Sequence, residues 1–415
     1  MLELKSANQM LSKADWAPLL DAWIAEKHLS GKSCCLLPPD FSRSNSFAGE
    51  ITQYLFEQLS VHGDVQVMPA VGTHAQMSDK EKQAFFGSIP SSAFLEHRWQ
   101  SDCTELGTLD AALVDRLTDH IYAADISIQL NRLLAGGNFN SLISIGQVVP
   151  HEVVGMANYT KNLLVGLGGK DMINHTHMLG ALYGIEKTLG QTDTPVRRIF
   201  DYVQKHYLNR LEITYILTVT DSAKSELKGI FIGQERDVFE HAALFSQDIN
   251  IIHLPQKAKK VVAWLDPNKV HSTWIGNKAV YRTRMAIADG GELLVIAPGV
   301  SSFGENRLAD EGIRKYGYSG TERILSLYRK GVFQGAEMVA AHLLHGSSEG
   351  RFQIRYATNP LLLRAEEIRS VGYEWMDVKE AEAIYTPSVR ETGPGRTDEM
   401  EFYFVKSPAL GLWMG

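Results

Sequence analysis

A chain of 415 residues, 44% hydrophobic and 21% charged, has the make-up of a globular protein long enough for two domains with sizeable cores. Its formal net charge of −7, with no basic block, excludes a nucleic-acid binder that works by neutralising phosphates. The opening Met-Leu-Glu-Leu-Lys-Ser has no apolar signal region and no run approaches the about eighteen apolar residues of a membrane span, so a cytoplasmic protein is expected.

In chain order, Trp16, Leu19, Leu20, Trp23 and Ile24 recur at helical spacing behind Ser12, a capping residue, and predict a helix over 12–29. Ser33-Cys-Cys-Leu-Leu then reads as a buried strand. Its adjacent Cys34 and Cys35, with Cys103 elsewhere, form no metal-type spacing and suit reduced, buried thiols. The loop Pro38-Pro-Asp-Phe-Ser-Arg puts Asp40 and Arg43 just past the strand's C-terminal end, where open α/β sheets place ligand contacts; taken alone, such a pair is more often a surface ion pair. A helix over about 46–61 follows, then a strand, Val65 to Val71, that ends in Gly72-Thr73-His74. Ser78-Asp-Lys-Glu81 is a capping box for the next helix. Strands are predicted near 121–130 and 141–145.

The second of these leads into the stretch the chain is organised around, residues 146–177, which holds three of the fourteen histidines, two lysines and five glycines. His151 follows the proline that closes an apolar run and is expected at a strand end, facing a cleft. Lys161 precedes Leu-Leu-Val, a setting that favours an unprotonated, nucleophilic amine. His175 and His177 share a face if extended, and in a loop either could bind a metal. Gly166, Gly168 and Gly169 with Lys170 suggest a phosphate cradle, but Asp171 follows the lysine and the P-loop pattern is not met. Polar residues thus emerge from three strand ends, at Asp40/Arg43, His74 and His151, and in a doubly wound sheet such ends converge on one cleft.

Further on, helices are expected over about 178–187, 195–207 and 235–245, with a strand over 211–218. The segment 246–259 is polar enough to connect two domains. A second α/β unit begins at Lys260-Val-Val-Ala-Trp and continues through Leu293 to Ala297. It includes a helix near 336–344, whose His342 and His345 have metal-capable i, i+3 spacing but fit a solvated helix end better. The expected fold class is therefore α/β, with two domains, each a mainly parallel sheet flanked by helices, and the active-site cleft between them. The first spans 1–245 and is joined by about 395–415, and the second spans 260–394. No internal repeat or low-complexity segment stands out.

Several of these pieces together resemble the lactate racemase family, enzymes that depend on a nickel-pincer nucleotide. Asp40-Phe-Ser-Arg43 is similar to the family's Asp-His-Thr-Arg, Gly72-Thr73-His74 to its Gly-Thr-His, and Pro150-His151 with Lys161 ten residues later to its Pro-His and covalently joined lysine. For the histidine on nickel, His177 fits the family interval of sixteen residues after the lysine, whereas His175, preceded by Asn174, matches the family's Asn-His pair. Asp289-Gly-Gly-Glu resembles a later family motif, and Lys278, twelve residues before Gly290, falls at the place of its substrate-binding lysine. The departures are Phe41 for the family's histidine, Trp274-Ile275 for a Tyr-Gln pair, and Tyr159-Thr160 for the Gly-Gly before the lysine. These look like the branch that acts on larger hydroxy acids, including D-gluconate and D-mannonate.

The resemblance implies a racemase or epimerase that inverts C2 of a 2-hydroxy acid, an aldonate in this case, by reversible hydride transfer to a nickel-pincer nucleotide attached at Lys161. It implies His74 and His151 as acid/bases, one for each hydroxyl orientation, because imidazole titrates near neutrality. Asp40 would orient a histidine, Arg43 and Lys278 would hold the carboxylate, Gly72, Thr73 and Arg43 would line the cofactor, and His177 or His175 would complete a square-planar nickel. The implied partners are the small hydroxy acid and the accessory proteins that build the cofactor, with no nucleic acid or membrane; a homo-oligomer is compatible with all of this. Two other classes stay open: a zinc-type metallohydrolase built on His74, His151 and His175 or His177, and a non-catalytic binding protein for a sugar acid or nucleotide.

Overall fold

Two mainly parallel six-stranded sheets organise the chain. They belong to two units in a computed structural model that describes residues 1–398 and 400–415. The first unit comprises Met1–Leu179 and Gly190–Ile249, and the second Gly180–Leu189 and Asn250–Gly415.

The first unit contains strands β1 (Leu2–Lys5), β2 (Cys34–Leu37), β3 (Val65–Val67), β4 (Cys103–Leu109) and β5 (Ile126–Asn131). It continues with β6 (Ser141–Gln147), β7 (Pro150–His151), β8 (Gly155–Met156), β9 (Ile213–Thr220) and β10 (Leu227–Gly233). Its main sheet runs β1-β10-β9-β6-β2-β3, with β3, β2, β6 and β9 parallel and the β10 and β1 pairings antiparallel. All residues of β2 and β6 are buried, as expected for parallel strands covered on both faces. Helix Lys13–Glu26 buries Trp16, Leu20 and Trp23, and helix Ala48–Leu59 buries Ile51, Leu55 and Leu59, one face each at helical spacing. Both pack with Cys34, Leu36, Ile143 and Ile145 in one core, where cutting a tryptophan back to alanine costs about 3–5 kcal/mol. Cys34 and Cys35 are buried free thiols in β2.

One strand differs from expectation. The run expected over 121–130 is the later strand β5, which pairs antiparallel with β4 in a separate ribbon. Its Ile126, Ile128 and Leu130 are buried while Ser127 and Gln129 are half-buried, so it has only one apolar face and does not suit the middle of a sheet.

The second unit contains β11 (Ile251–His253), β12 (Ala258–Trp264), β13 (Ile287–Ala297), β14 (Phe352–Thr358), β15 (Glu374–Asp377), β16 (Gly393–Arg396), β17 (Glu401–Val405) and β18 (Leu412–Met414). Its sheet runs β15-β14-β13-β12-β17-β16 and is parallel except for β16. Val262, Leu294, Ile296, Ala357 and Phe404 form its core.

Three expectations are corrected here. The C-terminal segment does not join the first unit: Tyr403, Phe404 and Val405 pair in parallel with Val261, Val262 and Ala263, and β18 pairs with β11. The segment 246–259 is not a plain connection, since helix Arg236–Asn250 ends inside it and the apolar Ile251 and Ile252 open β11. His342 and His345 are buried rather than solvated: His342 Nδ1 meets the Tyr281 hydroxyl at 2.9 Å and its Nε2 the Tyr318 hydroxyl at 2.8 Å. Among the described residues, no helix is long and apolar enough to cross a membrane.

Candidate active site

The strands β3, β2 and β6 are neighbours in the first sheet, so the three loops leaving their C-terminal ends start side by side. Beyond β2 and β3 the pairing continues in one bridge, Pro39 to Ala70, with the Ala70 N–H donating to the Pro38 carbonyl at 2.7 Å. This holds Asp40 abreast of the turn Gly72-Thr73-His74. Gly72 has φ of 56°, a left-handed conformation natural to glycine, and its N–H donates to the Gly166 carbonyl at 2.9 Å.

The result is a contact between Asp40 and His74. His74 Nδ1 lies 2.5 Å from Asp40 Oδ2, while Asp40 Oδ1 accepts from the Ser42 N–H at 3.0 Å and the Ser42 hydroxyl at 2.5 Å. Asp40 is 6% exposed. Burial alone would raise its carboxyl, but His74, Ser42 and the Arg43 guanidinium outweigh that and hold it down at about 2. An ionised carboxylate only accepts, so the bond places the proton on His74 Nδ1 and the imidazole lone pair on Nε2. Asp40 is thus a buried orienting group and not half of a surface pair.

His151 sits in the two-residue strand β7, paired with β8 in a tight hairpin after β6. It is 6% exposed and its Nδ1 accepts the Val153 N–H at 3.1 Å. An accepting Nδ1 puts the proton of the neutral ring on Nε2. The two histidines therefore stand in opposite tautomers. The Glu152 carboxylate, which sequence reasoning passed over, lies 3.9 Å from His151 Nδ1.

Lys161 begins two residues after a backbone irregularity at Asn158 and Tyr159, in the helix Thr160–Leu164. The Asn162 side-chain amide ties this short helix to the main sheet, donating to the Leu37 carbonyl and to Ser144 Oγ, both at 2.9 Å. Lys161 is half-buried. Desolvation pushes its amine down to about 8, with Arg43 and Arg197 adding to that effect and Glu152 and Asp40 opposing it.

His175 and His177 stand on helix Lys170–Tyr183, not on an extended segment or loop. Two residues along an α-helix turn through about 200°, so the side chains diverge instead of sharing a face. His175 Nδ1 is bonded to the Tyr122 hydroxyl at 2.7 Å. His177 Nδ1 donates to the Ile173 carbonyl at 2.6 Å, and burial together with the Lys161 charge pushes its imidazole down to about 4. A neutral imidazole whose Nδ1–H is held by a backbone carbonyl presents Nε2 as a metal donor. The two histidines thus stand in different surroundings: His177 shares the electrostatic neighbourhood of Lys161, and His175 is turned to Tyr122.

The glycines before this helix serve close packing. A Cβ at Gly168 would fall 2.0 Å from the Leu164 carbonyl oxygen and one at Gly169 2.2 Å from the Gln129 side chain, while Lys170 is exposed.

Lys278 lies in the second unit, half-buried at the start of helix Lys278–Thr283, and Trp274 nearby in sequence stacks on His342 with ring centroids 4.1 Å apart. Among the described residues no group of three His, Cys, Asp or Glu side chains is arranged to hold a metal ion, so the three-histidine zinc arrangement is not formed.

Comparison with known proteins bears on the fold and on the N-terminal part of the chain. The profile of the lactate racemase N-terminal domain matches residues 5–188. Among solved structures, a protein from Thermotoga maritima is 21% identical and superposes with a TM-score of 0.84, covering 99% of this chain and 99% of that one. The lactate racemase apoprotein from Thermoanaerobacterium thermosaccharolyticum is 15% identical with a TM-score of 0.67, covering 94% of this chain and 88% of that one. At these identities the likeness is one of fold. No curated protein matches the chain significantly.

Proposed function

We propose that the chain, whose residues 5–188 match the lactate racemase N-terminal domain, is an isomerase that inverts C2 of a 2-hydroxy acid. The observation that carries this reading is the presence of two histidines in opposite tautomers, half-buried His74 on Asp40 and buried His151 on the Val153 N–H, within the unit that also holds Lys161 and His177.

The residues fit a nickel-pincer nucleotide. Lys161 has an amine at about 8, of which roughly a tenth is neutral at pH 7, and so can enter an amide-type bond. His177 supplies an uncharged nitrogen beside it. Such a group, when bound, supplies a reversible hydride acceptor. The protein's own share is proton transfer and positioning. His74 uses its Nε2 lone pair to take the hydroxyl proton of one substrate enantiomer, and the Asp40 carboxylate, ionised throughout the neutral range, stabilises the imidazolium that forms. His151, protonated on Nε2, hands a proton to the oxygen when the opposite configuration is made. Run backwards, the roles exchange. Arg43, half-buried beside this group, is suited to the substrate carboxylate by bidentate pairing.

For the substrate we favour an aldonate, with D-gluconate and D-mannonate as the interconverting pair. This choice rests on the resemblance to the branch that acts on larger hydroxy acids, in which Phe41, packed edge-on against Phe85 with centroids 6.2 Å apart, is one of the departures. The test is to load the protein with cofactor by co-production with the accessory proteins and to incubate it with lactate, malate, gluconate and mannonate, each as one C2 configuration. The reading expects the C2-inverted acid from gluconate and mannonate. Inversion of lactate instead would remove the aldonate assignment, and inversion of none would remove the isomerase.

A further inference from the structure

Lys161 is delivered by a turn that the backbone does not adopt willingly. Asn158 has φ of 66°, and Tyr159 has φ of 58° with ψ of −133°, a region natural to glycine and unfavourable for a side-chain-bearing residue. Such strain persists only where the surroundings over-determine it.

A single guanidinium spans the turn. Arg197, on helix Pro195–Tyr207, is fully buried. Its Nη2 donates to the Met156 carbonyl at 2.7 Å and the Asn158 carbonyl at 3.3 Å, and its Nη1 to Thr160 Oγ1 at 2.9 Å and the Asn158 carbonyl at 3.4 Å. All of these acceptors lie in residues 156–160. The guanidinium also lies over the Phe239 ring, 4.2 Å from its centroid, and Tyr159 stacks on that same ring at 5.5 Å and packs at a tilt against Tyr215 at 4.3 Å. Among the described residues no carboxylate pairs with Arg197 and its Nε has no acceptor. A buried cation satisfied only by carbonyls, a hydroxyl and a ring is an expensive way to fill space, and an apolar side chain would pack there at less cost. Helix Pro195–Tyr207 otherwise turns Val196, Ile199, Phe200 and Val203 inward. The charge is therefore explained by what it holds.

We propose that Arg197 is the positioning residue for Lys161: it clamps the strained 156–160 turn so that the lysine leaves the turn in one fixed direction. The importance of that direction rests on Lys161 being the attachment point proposed above. The clamp itself does not.

The test uses the full chain, free of cofactor, in three forms: wild type, Arg197→Met and Thr160→Val, which removes one acceptor and little else. Amide hydrogen exchange is followed by peptide mass spectrometry, with the melting transition as a control on the fold. The clamp predicts exchange at 156–161 about tenfold faster in Arg197→Met and intermediate in Thr160→Val, with β6 and β9 unchanged. Arg197→Lys, a cation that cannot span three acceptors, does not restore protection. Unchanged exchange at 156–161, or acceleration spread evenly over the first sheet, overturns the proposal. If Arg197→Met does not fold, Thr160→Val decides alone. Separately, the wild type and Thr160→Val are co-produced with the accessory proteins and weighed. A wild type that gains no mass counts against Lys161 as attachment point and leaves the exchange result standing.

Discussion

His74 Nδ1 and Asp40 Oδ2 stand 2.5 Å apart because the Pro39–Ala70 bridge sets the ends of two neighbouring strands side by side. With its carboxyl depressed from 3.8 to about 2 in the folded chain, Asp40 contributes stability that is fully present above pH 4 and is lost as pH falls through about 2. Denaturant unfolding of wild type and Asp40→Asn should differ by on the order of 2 kcal/mol at neutral pH, and the gap should close between pH 4 and pH 2. A gap independent of pH over that window would remove the charge interaction from the account.

The opposite tautomers of His74 and His151 are directly measurable in the cofactor-free protein. Long-range proton–nitrogen NMR should find His74 protonated on Nδ1 and His151 on Nε2 near neutral pH, with the His74 signal altered in Asp40→Asn and the His151 signal unmoved. In the loaded enzyme, His74→Ala or His151→Ala should each lower turnover by roughly two to four decades, the usual worth of an acid–base group. Retention of full turnover by either variant would take that histidine out of the mechanism.

His175 and His177 should separate in a metal assay. His177→Ala is expected to lose nickel from the co-produced protein, whereas His175→Phe, which gives up only the Tyr122 contact, should keep it. Nickel lost from His175→Phe and kept by His177→Ala would reverse the assignment.

The placement of much of the candidate site was legible in the sequence because parallel sheets have a direction. Polar residues just past apolar strands, as at Asp40, His74 and His151, fall at C-terminal strand ends, and those three strands prove to be neighbours. What was not legible depends on non-local partners. Arg197 in a helix reads like any solvated charge until Phe239 and the 156–160 carbonyls are seen around it. Glu152 gave no signal beyond standing next to His151. Extended and loop readings of 170–177 kept His175 and His177 alike, and only the helix separates them. Of the late strands, β17 pairs in parallel with β12 and β16 in turn with β17, a choice that local composition does not carry.

The central claim is that Lys161 carries a nucleotide cofactor and His177 its metal. The most direct measurement is intact mass with nickel content on protein co-produced with the cofactor-building accessory proteins, beside Lys161→Ala made the same way. The account predicts a covalent gain of nucleotide size that maps to Lys161, one nickel per chain, and neither the gain nor the C2-inverting activity in Lys161→Ala. An unmodified wild-type chain under conditions that load a known lactate racemase, or an adduct that persists in Lys161→Ala, would contradict it.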